Sequence, residues 1–403
     1  MPTLSIKLKV IVAFIVATTV ATSGLYYASR ASYERNVSAL SRQSLDTARH
    51  TFGQLSYAEV AKMQSLVMAV VANPELVSRM SLAQREELLA KAESLFRQLN
   101  KEQGITNFNF IDTEEKRILC VQDPRNPKLI GTKAVRFNVQ ESAKTKTWSS
   151  GLSLGFHGIA LRVTHPVYDS GQLKGGNLKG YLELGVEINE FISKLKILTG
   201  DDFGLIIQKK FLEEEKWVSG RSKYNLRNNW ADQPEVVVAS NTTSQESILR
   251  LEGDIASVPD EGRTLGIIKA DGHQFVRSVF PVRDAAKEKI GAIFVLTDVT
   301  RVASELQQSL TRTIAASVIL VVVLMALLIF ILNRLVFSRL SEISRVATRV
   351  VGGDFETPIR VGLRDEIGHF EELLEQFRVV VVSLISDMMR MQCDAEGVKK
   401  SED

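Results

Sequence analysis

Two stretches without a charged residue constrain this chain more than any other feature. Residues 10–29 (VIVAFIVATTVATSGLYYAS) and 314–332 (IAASVILVVVLMALLIFIL) each approach the ~20 apolar residues that cross a hydrocarbon core. Tyr26 and Tyr27 suit the aromatic interface, and Asn333-Arg334 closes the second run. The second run is aliphatic on every face, which sets it apart from the core helix of a soluble protein. A cleaved signal peptide is an alternative for the first, since Lys7 and Lys9 precede it and small residues follow. Its length favours a retained helix, so transmembrane helices are expected at 10–29 and 311–333. Lys7 and Lys9 before the first, and Arg334, Arg339 and Arg345 after the second, assign residues 1–9 and those from 334 onward to the cytoplasm. Arg30, Arg35 and Arg312 weaken the contrast, but long domains cross largely regardless of charge. Residues 30–310 are then expected outside it.

With 403 residues the chain is long enough for two or three domains, and its net charge of +3 has no dense Lys/Arg cluster behind it. No nucleic-acid partner is expected. The two cysteines, Cys120 and Cys393, show no CxxC, haem-attachment or zinc spacing, so they read as packing residues and no metal or cofactor is expected. There is no GxSxG, HExxH or Walker loop, and the acidic runs Asp201-Asp202 and Glu213-Glu214-Glu215 read as solvated faces. These absences argue against an enzyme.

From Ala31 to about Gln103 apolar residues recur at three and four, broken by Asn73-Pro74 and resumed after an N-cap at Ser81. After Gly104 the period becomes two. The segment "ITNFNFID" is one strand, "KRILCVQ" its hairpin partner, and "GIALRVTHPVYD" and "YLELGVEI" follow, with a short helix over 188–198. A second set then runs "FGLIIQ", "EVVVAS", "TLGIIK", "HQFVRSVFPVRD" and "KIGAIFVLTDVT". "HPVYD" followed by "KGYLELGVEI" matches "FPVRD" followed by "IGAIFVLTDV": strand, Pro-Val, turn, Gly-led strand, helix start. This weak internal repeat predicts two α+β units in tandem, each with an antiparallel sheet, about 104–200 and 201–300; chance similarity of two hairpins is the alternative.

A long helix followed by two such sheets, with "FNFIDTEEKRILCVQDP", "GLSLGFHGIALRVTHPVYDSG" and "GYLELG" in the first, resembles the double Cache (PAS-like) sensory domain of bacterial chemoreceptors and sensor histidine kinases. The resemblance implies a bacterial inner (cell) membrane location and a small molecule held on the concave face of a sheet, more often in the membrane-distal unit. In the second hairpin strand, where relatives carry an Arg and a His, this chain has Cys120 and Gln122, which puts transfer of their ligand chemistry in doubt.

Strand alternation assigns Ile159, Leu161, Val163 and His165 to one face and Ala160, Arg162 and Thr164 to the other. Arg162 can offer a carboxylate two parallel hydrogen bonds. Arg117, Arg136, Trp148, His157, Thr164, Tyr181 and Glu183 complete the candidate ligand-binding set. A surface salt bridge for Arg162, a structural role for His157 and His165, and a core position for Trp148 are the ordinary alternatives.

After the second apolar run, Leu340, Ile343, Ala347 and Val350 form an apolar seam that ends at Gly352-Gly353. Pro358 forces an extended connector, and Asp365 caps a helix carrying Ile367, Phe370, Leu374, Phe377, Val381, Leu384, Met388 and Met391 at alternating spacings of three and four. This heptad seam, with Gly353-Asp354-Phe355 and Asp365-Glu366-Ile367-Gly368, resembles a HAMP domain, over 334–391 with a tail at 392–403. The resemblance implies a parallel four-helix bundle in a homodimer, with Gly353, Asp354, Pro358, Asp365, Glu366, Ile367, Phe370, Leu374 and Phe377 as its signalling residues. The proline that such domains carry at the start of the first helix is Arg339 here, so a more continuous join to the span is expected.

The expected function is a two-pass receptor for a small extracytoplasmic ligand, of chemotaxis type and lacking its own output domain. A separate kinase, cyclase or chemoreceptor would then supply the output. The alternatives are the sensory part of a truncated or split histidine kinase or cyclase, and a membrane-anchored solute-binding protein without signalling.

Overall fold

The computed structural model describes residues 6–155, 158–170, 175–355, 357–359 and 366–399. His157 and Asp365 lie outside the described residues. The chain divides into two compact units, Arg30–Leu306 and the remainder, Met1–Ser29 with Gln307–Asp403.

Helix α1 spans Ile6–Val71. It ends where Asn73 caps the short α2 (Pro74–Val77) by accepting from Glu75 N at 3.0 Å. Ser81 caps a single 3-10 turn at Leu82–Gln84 that leads into α3 (Arg85–Gln103), and Gly104 closes α3 at φ 70°. The breaks expected at Asn73-Pro74, Ser81 and Gly104 are all present.

The first lobe is a five-stranded antiparallel sheet of β1 (Asn107–Ile111), β2 (Arg117–Cys120), β3 (Ser149–Gly155), β4 (Gly158–Tyr168) and β5 (Leu178–Glu187), in the order β2-β1-β5-β4-β3. Helices α4 (Phe137–Thr145) and α5 (Ile188–Thr199) belong to it. The second lobe repeats that order with β6 (Asp202–Gln208), β7 (Val236–Asn241), β8 (Arg263–Ala270), β9 (His273–Arg283) and β10 (Lys289–Asp298), as β7-β6-β10-β9-β8. Helix α6 (Glu214–Lys223) lies between β6 and β7 in sequence.

The repeated Pro-Val and Gly now have physical reasons. Pro166 and Pro281 pair with Tyr181 and Ala292, each just past the end of the outer strand, where a residue without N–H costs no ladder bond. The next residue faces a glycine in both lobes, Val167 opposite Gly180 and Val282 opposite Gly291. A Cβ on Gly180 would lie 2.1 Å from the Ile111 carbonyl oxygen, and one on Gly291 would lie 2.2 Å from that of Ile206. Both glycines let the neighbouring central strand close in.

One apolar core runs behind both sheets, from Leu45, Ala48 and Met63 of α1 through Phe108 and Leu184 to Phe280 and Val295. The opposite faces of the two sheets differ. In the second lobe that face is apolar, with Ile206, Leu249, Val279 and Phe294. In the first, the apolar cluster reduces to Ile111, Ala134, Val139 and Tyr181.

In the other unit, α7 (Thr300–Leu332) continues through a π-helical turn, Asn333–Phe337, into α8 (Ser338–Val351). The continuous join expected from Arg339 is therefore seen. Arg339 instead forks onto buried Glu371 of α9 (Glu366–Lys399), Nη2 to Oε2 at 2.7 Å and Nε to Oε1 at 3.2 Å. Helix α8 ends in a double turn: Gly353 N donates to Val350 O and Asp354 N to Arg349 O. Gly353 alone takes positive φ, at 94°; Gly352, expected to share that role, stays right-handed at −78°. Pro358 is exposed in the connector, and the neighbouring Ile359 is buried and donates its N–H to Glu375 at 2.8 Å. The α8 seam is offset from expectation: Ile343 and Val346 are buried, while Leu340 is exposed. Helices α1 and α7 each hold a stretch long and apolar enough to cross a membrane.

Candidate functional site

The polar face of the first lobe is built from one transverse row and its neighbours. Cys120, Asn109, Glu183, Thr164 and Ser149 lie side by side across the five strands. Asn107 and Asn109 alternate with Phe108 and Phe110, so the same strand feeds the apolar core on one side and this row on the other. Gly185 fills the position between Arg162 and Asn107 in the next row. A Cβ there would meet Arg162 Cγ at 3.1 Å, so the glycine clears a path for that side chain.

Glu183 is 0 % exposed and lies at the centre. Its Oε1 accepts from Asn109 Nδ2 at 2.9 Å, Arg136 Nη2 at 2.5 Å and Arg162 Nη1 at 3.0 Å. Its Oε2 accepts from Arg136 Nε at 3.0 Å. Arg162 and Arg136 are 4 % and 9 % exposed. Burial by itself would raise the Glu183 carboxyl, but the charges of Arg136 and Arg162 outweigh it and hold the group below the ordinary carboxylate range. Burial pulls Arg162 below its ordinary value, yet a guanidinium keeps its proton, so all three groups are charged.

Several buried atoms around this cluster have no partner among the described residues: Arg162 Nε, Thr164 Oγ1, Asn138 Oδ1 and Ser153 Oγ. Buried polar atoms are nearly always satisfied. This face therefore offers donors and acceptors together.

Arg136, Arg162, Thr164 and Glu183 come together as the sequence expected. Tyr181 shares their face but its hydroxyl accepts from Lys146 Nζ at 2.7 Å, at the end of α4. Arg117 reaches the edge of the cluster, where Nη1 donates to Thr132 Oγ1 and the Lys133 carbonyl. Trp148 is a correction: it packs on the helix-side core with its ring centroid 3.9 Å from that of His165, away from the polar face. Asn109, Asn138 and Ser153 were missed. The alternation of "NFNF" was a signal for the first; α4 and β3 had none strong enough.

Cys120 and Gln122, the departures from the expected pattern, have structural tasks. Burial pushes the Cys120 thiol up to about 11, which makes it inert. Gln122 Oε1 accepts from Phe108 N at 2.9 Å, which satisfies a strand amide beyond the end of β2.

Two tandem lobes of one topology, the first with a charged and partly unsatisfied interior, define a tandem sensory module. The chain belongs to the family described as the double sensory domain of two-component sensor kinases, whose model matches residues 41–303. The comparison with curated proteins gives no match. Among solved structures, the chain is similar to the sensor domain of the Vibrio cholerae histidine kinase DctB (13% identity, TM-score 0.36, 67% of this chain and 98% of that one). It is also similar to the periplasmic domain of Vibrio cholerae LuxQ (12%, 0.35, 64% and 98%). A third is the ligand-binding domain of a Campylobacter jejuni chemoreceptor in complex with 4-methylisoleucine (13%, 0.39, 66% and 92%). The matched family is one of sensing and signalling, and the module is its sensory domain.

Proposed function

We propose that this chain is a two-pass membrane receptor, with residues 30–310 outside the cytoplasm, that binds a small polar molecule on the first lobe's polar face. The observation that carries the reading is the set of buried atoms without a partner among the described residues, Arg162 Nε, Thr164 Oγ1, Asn138 Oδ1 and Ser153 Oγ, around an ion cluster of two arginines and one carboxylate. A ligand with both acceptor and donor groups satisfies them, while Glu183 keeps the arginines aimed. The membrane part rests on α1 and α7, whose apolar segments expose Val16, Val20, Val322 and Phe330 among others.

The relay is a homodimeric HAMP-like bundle of α8 and α9. Phe370, Phe377, Leu384, Met388 and Met391 are all exposed on α9, and a second copy covers such a seam by coiled-coil packing. Differential ligand affinity of a few kcal/mol, about what a near-balanced bundle needs, then biases its packing. The output is of chemotaxis type, supplied by another chain or by sequence beyond Asp403. The family's description as part of sensor kinases favours a second reading, a histidine kinase output. Co-purification from membranes decides between them.

Thermal shift of the full chain in nanodiscs against amino acids, carboxylates and purines is the direct test. A rise with one class, lost in Arg162→Lys, supports the reading; no shift with any compound sinks it.

A further inference from the structure

The two lobes enclose between them a cavity of about 540 Å³, within the range that holds small metabolites. The first lobe brings Arg117 to it and α6 of the second brings Arg221. Neither has a carboxylate partner among the described residues. Arg117 donates to Thr132 Oγ1 at 2.9 Å and to the Lys133 carbonyl at 3.2 Å. Arg221 donates to the carbonyls of Arg227 at 2.5 Å and Val238 at 3.4 Å, with its guanidinium 5.7 Å from the Trp217 ring centroid.

The other cations around the cavity are paired, Arg136 with Glu183 among them. Lys128, Lys133 and Lys216 pair with Glu215, Glu115 and Glu213. The lining carboxylate Glu187 accepts from Tyr224 Oη at 3.1 Å, and burial, then the charge of Glu187, pushes that phenol up to about 12. Among the described residues, the lining cations without a paired carboxylate are therefore two arginines, one from each lobe. Burial pushes Arg117 down to about 10, with the nearby Arg136 charge adding to it, and burial lowers Arg221 as well. A guanidinium does not relieve such a cost by losing its proton; an anion relieves it. Leu154, Ile159, Phe211 and Leu212 supply the apolar part of the wall, and Arg136, Thr132 and Asn189 add polar groups.

We propose that this cavity binds an organic dicarboxylate with an apolar spacer, one carboxylate on Arg117 and the other on Arg221. Such a ligand ties the lobes together through charge at both ends and apolar contact between. The site adjoins the Glu183 cluster through Arg136, which lines the cavity while held by Glu183, but it contains neither Arg162 nor Thr164.

Isothermal titration of the full chain in nanodiscs tests it, with terephthalate as the probe. Terephthalate should bind at one site per chain. Benzoate, with one carboxylate, should bind about tenfold more weakly or worse, and inorganic phosphate, with no spacer, should give no saturable heat. Arg117→Gln and Arg221→Gln should each weaken terephthalate by about tenfold or more, as loss of a charged hydrogen-bonding partner requires. If either variant fails to fold, the corresponding Lys variant takes its place, which keeps the charge but loses the fork and should still bind more weakly. Equal affinity for benzoate and terephthalate, or terephthalate binding unchanged by both arginine variants, overturns the proposal. So does the absence of terephthalate heat. Arg221, which is remote from the polar face, and Arg162→Lys, which is outside this cavity, tell the two sites apart: loss of terephthalate heat in Arg221→Gln with the thermal-shift response retained concerns this cavity alone.

Discussion

Arg136 grips Glu183 with two prongs, Nη2 to Oε1 at 2.5 Å and Nε to Oε2 at 3.0 Å, across 47 residues of sequence and out of reach of solvent. The grip commits the first lobe to a charged interior. Arg162 shares Oε1, so removing the carboxylate strands two guanidiniums at once.

Glu183→Gln should therefore destabilise the sensor domain by about 3–5 kcal/mol, the cost of leaving a buried charge without its partner. All three tryptophans, Trp148, Trp217 and Trp230, lie in that domain, so intrinsic fluorescence against urea reports it in the full chain. A loss below about 1 kcal/mol, typical of an exposed pair, would mean the cluster is solvated.

The same pair sets a pH dependence. The folded Glu183 carboxyl is held below its ordinary value of 4.5, so its contribution is whole above about pH 4.5 and is lost as pH falls through the folded value. The stability gap between the wild type and Glu183→Gln should be constant at higher pH and close below that point. A gap that stays open to pH 2 argues against this linkage.

Two glycine substitutions should act in opposite directions. Gly291→Ala forces a methyl to within 2.2 Å of the Ile206 carbonyl oxygen, between two central strands. It should cost about 1–3 kcal/mol or more. Gly53→Ala lies in α1 with nothing within 4 Å of the new methyl, and should stabilise by about 0.5–1 kcal/mol. Urea midpoints of the two variants with the same sign would contradict the close strand approach.

Cys120 should resist alkylation. Its thiol is buried and pushed up to about 11. In a Cys393→Ser background, iodoacetamide at pH 8 should leave the folded chain unmodified by mass spectrometry and label it fully in urea. Rapid labelling without denaturant would place Cys120 in an open, polar setting.

The exposed seam of α9 should bring two chains together. Phe377 is 61% exposed and lies on the apolar stripe. A cysteine at 377, in a background lacking Cys120 and Cys393, should crosslink between chains in membranes under mild oxidation, and Leu374→Asp should suppress the crosslink. Dimer-independent crosslinking of a cysteine at 372, on the other side of the helix, at the same rate would remove the case for an ordered seam.

Much of the architecture is legible in the chain's local patterns. Membrane-length runs, helix stops at Pro74 and Gly104 and the two-fold repeat are periodic or local signals, written in consecutive residues. The Pro-Val and Gly of the repeat were visible as letters, and their reason came only with the register that sets Val167 against Gly180 and Val282 against Gly291.

Which residues are candidates for charge recognition, and which strand face carries them, follows from the order of residues alone, because alternation along one strand is a local property. Their partners are set by the folded chain. It gave Glu183 to Arg136 and Arg162, moved Trp148 to the helix side, and left Arg117 and Arg221 facing one cavity from separate lobes. Whether a buried charge is answered depends on atoms brought together from distant parts of the chain, and no spacing within a strand encodes that.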